Sequence, residues 1–95
     1  MLHLRLNVYN GHGATLDPEG ANFVDLAHAR RVAIEGIRSF LSAEVLEGEL
    51  DLHGHLEIID DGGTVVDSIP FSEAVKIVDR QAISKSGSVI RPNLR

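Results

Sequence analysis

The sequence has no cysteine and no tryptophan, and only four of its 95 residues, three Phe and one Tyr, are aromatic. Without cysteine there is no disulfide framework, no thiolate zinc site and no cysteine nucleophile. That composition suits a reducing cytosol. So few aromatic rings leave no stacking platform for nucleobases. No run approaches the roughly 18 consecutive apolar residues of a membrane span, and the opening MLHLRLNVYN alternates instead of forming a signal-peptide core. Gly11-His12-Gly13 lacks the Lys and Ser/Thr of a phosphate-binding loop and runs into an acidic turn. A Gly-x-Ser-x-Gly elbow is missing, and Asp60, Asp61 and Asp67 lack the spacing of a calcium loop. The expectation is a cytoplasmic protein without catalytic activity, cofactor or small-molecule substrate.

What is present is enough chain for one hydrophobic core. The apolar fraction of 43% and the charged fraction of 24% are ordinary for a globular domain. Charge is distributed unevenly. Residues 1–79 hold all 14 acids against Arg5, Arg30, Arg31, Arg38 and Lys76, a balance of −9. Residues 80–95 hold Arg80, Lys85, Arg91 and Arg95 and no acid, a balance of +4. An acidic body repels a phosphate backbone, so the folded part is expected to bind no nucleic acid. The expected division is a single domain over residues 1–80 and a flexible basic tail over 81–95.

Residues 2–9 alternate between Leu2, Leu4, Leu6, Val8 and polar neighbours, the signature of a half-buried strand. Asp17-Pro18-Glu19-Gly20 is a turn, and the short stretches on either side of it suggest a minor hairpin. Asp25 can cap a helix running to Glu47, which Gly48 would end in a left-handed conformation. Apolar residues occupy roughly 220° of that helix, against the roughly 100° that one sheet covers. The helix therefore calls for a second cover, either a second helix or another subunit, and Val32, Ile34, Leu41 and Val45 are its candidate partner-binding residues. Leu50, Leu52, Leu56 and Ile58 alternate as a second strand. Asp61-Gly62 turns a hairpin, and a strand over 64–69 returns. Pro70 should end the pairing or sit at an edge. Ser72 can cap a short helix with Ala74, Ile77 and Val78 on its apolar face. The fold class is thus α+β: a two-layer sandwich in which a mostly antiparallel three- to four-stranded sheet carries one long and one short helix on one face. The expected core is Leu4, Leu6, Val8, Phe23, Leu26, Ala33, Ile37, Phe40, Leu52, Leu56, Ile58, Val65, Ile69, Phe71 and Ile77.

Two groups of side chains bear chemistry. On a strand, Asp51, His53, His55 and Glu57 would share one face at about 6.5–7 Å intervals. Two such imidazoles can converge on Zn²⁺, Ni²⁺ or Cu²⁺ if His3 from the neighbouring strand supplies a third ligand. The plainer reading is the wet face of a one-sided sheet. Arg30 falls inside the apolar arc, where an unpaired cation is costly. Asp17, Glu19 or another acid beside the helix is its expected partner, with an anion or partner contact as the alternative.

From Leu4 to about Ile77 the chain resembles a family of small alphaproteobacterial proteins classed as a domain of unknown function. The likeness rests on Asp17-x-Glu19-Gly20, Asp25-Leu26-x-x-Ala29-Arg30, Leu50-Asp51-Leu52 and Ile69-Pro70-Phe71. The first strand departs from that pattern in carrying leucines where aromatics are usual, and Val32 stands where an acid is common. Residues 1–45 are also similar to HicB-type antitoxins, which dock on a small RNase. Neither a helix-turn-helix nor a ribbon-helix-helix pattern accompanies the likeness. Three readings follow: a non-catalytic protein-binding or regulatory module acting through a protein partner or a homodimer, an antitoxin-like inhibitor of a small RNase, and a metal-binding protein or metal-dependent enzyme built on the strand histidines.

Overall fold

The computed structural model describes residues 1–78, so the basic segment 81–95 lies outside the described residues. In chain order the elements are β1 (Leu2–Asn10), β2 (Gly13–Thr15), β3 (Ala21–Phe23), α1 (Leu26–Leu46), β4 (His55–Ile59), β5 (Val65–Pro70) and α2 (Phe71–Ala74). Every strand pairing is antiparallel. The sheet runs β2-β1-β4-β5, with β3 also on β1. The α+β expectation is met, with five strands in place of three or four.

The extra strand comes from the segment expected to form a minor hairpin. β2 and β3 do not pair with each other: β2 pairs with residues 8–10 of β1 and β3 with residues 2–4. Between these ladders the Leu6 amide would be unpaired, and the Asp17 carboxylate accepts it at 3.2 Å. Asp17 also accepts from the Gly20 amide at 3.0 Å, and its own amide donates to the Asn7 side chain at 2.8 Å. Asp17 therefore bridges a broken ladder, which is why Arg30 pairs elsewhere. Gly20 closes that loop with φ +70°, and a Cβ there would stand 2.6 Å from the Leu4 carbonyl oxygen.

Asp25 caps α1, its carboxylate accepting from the His28 amide at 2.8 Å. At the other end the Gly48 amide bonds the Val45 carbonyl and the Glu49 amide bonds the Glu44 carbonyl, the paired bonds of a Schellman ending. Gly48 takes the required left-handed turn at φ +87°. Ala29, Ala33, Ile37 and Leu41, one every four residues, face the sheet and are buried. Leu4, Leu56, Ile58 and Ile69 meet them from below.

Four expectations are corrected. The second strand begins at His55 and not at Leu50, because β1 ends at Asn10 and its last partner on β4 is His55. The residues before it turn instead, with the Asp51 side chain accepting the His53 amide at 2.9 Å. The second helix starts at Phe71 and lasts one turn. The chain becomes extended at Val75, with φ −136°, and Arg38 Nε donates to the Ala74 carbonyl at the helix end at 2.7 Å. Leu26, Val65 and Ile77 are 36%, 47% and 60% exposed and do not belong to the core. Leu41 is 3% exposed and therefore not available to a partner, and Ile34 is half-buried against the core. Their flank of α1 is the one that α2 covers, since Arg30 and Arg38 on the same side reach Glu73 and Ala74. The second cover anticipated for the helix thus comes, on that flank, from the chain itself.

Both sheet edges are defended against strand addition. The edge formed by β2 and β3 is two three-residue pieces with a loop between them. β5 ends in Pro70, carries an inward-facing Asp67 opposite Ile58, and has a register shift at Ile58/Ile59. Short strands, proline, bulges and inward charges are the usual means of discouraging edge pairing.

Candidate functional site

The surface offers three places where chemistry or recognition can reside. On the uncovered sheet face, Tyr9 and His55 stand opposite each other in the β1–β4 ladder, and their rings stack at 5.1 Å. His55 Nε2 lies 3.2 Å from a Glu57 carboxylate oxygen. His53 is off the strand, 97% exposed at its side chain, with Nδ1 2.8 Å from Asp51. His3 is at the far end of β1, bonded to Asp61 of the β4–β5 turn at 2.7 Å. Six residues of strand, about 20 Å, separate His3 from Tyr9 and hence from His55. The three histidines are therefore not brought together, and each is turned to its own carboxylate. Among the described residues no group of three His, Cys, Asp or Glu side chains could hold a metal ion.

Two of these pairs impose a pH dependence. The hydrogen bond to Asp61 raises the His3 pKa, and the hydrogen bonds from His53 hold the Asp51 carboxyl below its ordinary value. The His3 contribution to stability is complete below about 6.5, the unfolded value, and fades as pH rises through the higher folded value. The Asp51 contribution is complete above about 3.9 and fades as pH falls through the lower folded value. Thermal melts of His3→Ala across pH 5–9 should therefore match the unaltered protein on the alkaline side and fall slightly below it at pH 5–6. Both sites are exposed, so the differences are small.

The second place is Arg30. Its guanidinium reaches Asp67 on β5 at 2.7 Å and Glu73 on α2, tying the helix layer to the sheet edge. The pKa is raised, first through the hydrogen bond to Asp67. With two carboxylates already on it, Arg30 is a structural clamp joining three elements.

The third place is the C-terminal end of α1. Val45 is 55%, Leu46 87% and Leu50 45% exposed. Val45, Gly48, Glu49 and Leu50 line an open depression of about 340 Å³. Of the residues anticipated for a partner, Val45 belongs here, while Val32, 36% exposed, lies higher on the helix. Leu46 and Leu50 were not anticipated. Leu46 falls outside the apolar arc, and Leu50 reads as an apolar position of the second strand. The available signal was a large aliphatic residue on the polar face of an amphipathic helix, one position before the ending glycine motif.

Among the described residues no helix is long and apolar enough to cross a membrane. No curated protein and no solved structure matches the chain. A family model described as "Domain of unknown function (DUF6894)" matches residues 3–72, from β1 to the start of α2, and the chain belongs to that family.

Proposed function

We propose that the protein is a small non-catalytic binding module that docks another protein on the C-terminal end of α1. The observation that carries this reading is Leu46, 87% exposed between Val45 and Leu50 on an ordered helix end. Single exposed aliphatic residues are common on protein surfaces. A group of them beside a depression, rimmed by polar residues, is the usual form of a recognition patch. Three features of the fold disfavour other surfaces. α2 covers one flank of α1, both sheet edges resist strand addition, and the open sheet face is occupied by paired polar groups.

A homodimer formed patch to patch is disfavoured by charge. A two-fold axis through this surface would bring two copies of the same group of carboxylates, Glu47 and Glu49 among them, into one interface. A different protein is the better-fitting occupant.

Leu46→Asp/Leu50→Asp changes two exposed residues outside the core, so the fold should be retained, as circular dichroism would verify. Affinity capture from the cells that make the protein should recover a partner with the unaltered chain and at least tenfold less with the double variant. Equal recovery with both would place the docking surface elsewhere.

A further inference from the structure

Between Arg38 and Lys76 the sequence carries nine carboxylates and neither Lys nor Arg. Four of the nine gather at the end of α1: Glu44 in its last turn, Glu47 at the cap, Glu49 after Gly48, and Asp51. Glu44 accepts the Asp51 amide at 3.2 Å, and Asp51 holds His53. Glu47 and Glu49 have no ion-pair partner among the described residues. Helix stability does not account for them. The C-terminal end of a helix carries the negative pole of its dipole, where cations stabilise and carboxylates oppose. The last turn of α1 contains no basic residue. The end of α1 thus combines Val45 and Leu50, which line the depression, and the exposed Leu46 next to Val45 in the chain with a group of carboxylates.

We propose that the occupant is a basic amphipathic segment of another protein, with aliphatic side chains seated against Leu46 and Leu50 and Lys or Arg side chains on Glu47 and Glu49. This rests on the docking reading above and adds the chemistry of the partner. An acidic or neutral segment would meet repulsion or strip water from the carboxylates without replacing it. Nucleic acid and anionic lipid are repelled by the same rim. A basic segment gains both from the rim and from the negative pole of the helix dipole.

The test is a titration of the full ¹⁵N-labelled chain with a synthetic 16-residue peptide of leucines and lysines at helical spacing, beside a counterpart with glutamate for lysine. The lysine peptide should shift the amides of Leu46, Gly48 and Leu50, and the glutamate peptide should not. Glu47→Lys/Glu49→Lys should weaken binding at least tenfold. Glu19→Lys/Glu35→Lys, the same change in net charge placed elsewhere, should weaken it less than twofold. Equal weakening by both variants, shifts mapping to another face, or equal binding of the glutamate peptide would overturn the proposal. So would movement of the patch resonances in the peptide-free Arg91→Glu/Arg95→Glu chain, which would assign the patch to the protein's own basic end. If the cellular partner is lost by Leu46→Asp/Leu50→Asp but kept by Glu47→Lys/Glu49→Lys, the docking surface stands and the basic chemistry fails.

Discussion

Phe71→Ala should cost about 3–5 kcal/mol of folding stability, the range for removing a fully buried aromatic ring. Phe71 is 0% exposed and packs on Phe40 at a ring-centroid distance of 5.6 Å. Its amide also donates to the Gly54 carbonyl at 3.0 Å. The ring is the anchor of a helix only one turn long, and that turn supplies Glu73 to Arg30 and the Ala74 carbonyl to Arg38. Losing the anchor should therefore loosen the α1 flank as well as leave a cavity. Domains are typically stable by only about 5–15 kcal/mol, so the loss should be visible as a large drop in the urea midpoint. Phe71→Leu, which keeps most of the volume, should cost clearly less. Similar midpoints for Phe71→Ala and the unaltered protein would mean that the ring does not hold α2.

Gly54→Ala should also be damaging, by a smaller amount and for the opposite reason. A Cβ on Gly54 would stand 2.4 Å from the Tyr9 carbonyl oxygen and 2.4 Å from the Phe71 ring. The ring can shift, but the Tyr9 carbonyl lies at the end of the β1–β4 ladder and cannot move without disturbing Tyr9–His55 pairing. Overpacking of this kind costs about 1–3 kcal/mol, and the upper part of that range is expected here because a backbone atom is involved. The two substitutions share a contact and should be less than additive in the double variant. A full sum in urea denaturation would show that the two sites act independently.

The parts of the fold legible in the sequence are those fixed by residues close to one another along the chain. Alternation over Leu2–Val8 marks β1, Asp25 marks the start of α1, and Gly48 marks its end, each through a local periodicity or cap. The failures are places where a distant residue decides. Leu50–Leu56 alternates as a strand does, yet alternation states only which side chains share a face. Whether a ladder forms depends on the neighbour, and β1 has already ended at Asn10. Phe71–Val78 has helical spacing, but the chain becomes extended at Val75, and the turn is held by distant residues, Arg38 from the middle of α1 bonding the Ala74 carbonyl. Asp17 announces a turn, and its second role, receiving the Leu6 amide between two ladders, follows only once β2 and β3 are both on β1.

The candidate site was legible in part. The excess apolar width of α1 correctly pointed to a second cover, but on the Ile34–Leu41 flank that cover is the chain's own α2. What remains open is the end of the helix, where Leu46 departs from the helical pattern and a high density of carboxylates departs from the charge that a helix end favours. The histidines drew attention through type and spacing, and separation in space removes them as a common site.

The central claim, that recognition resides at the end of α1, is tested most directly by site-specific photocrosslinking in the cells that make the protein. A photoreactive residue would replace Leu46 in one version, Ser68 on the sheet face in a second, and Glu35 on the exposed side of α1 in a third. A defined adduct with one other protein is expected from position 46 and none from 68 or 35. Adducts from position 68 or 35 without one from 46 would contradict it.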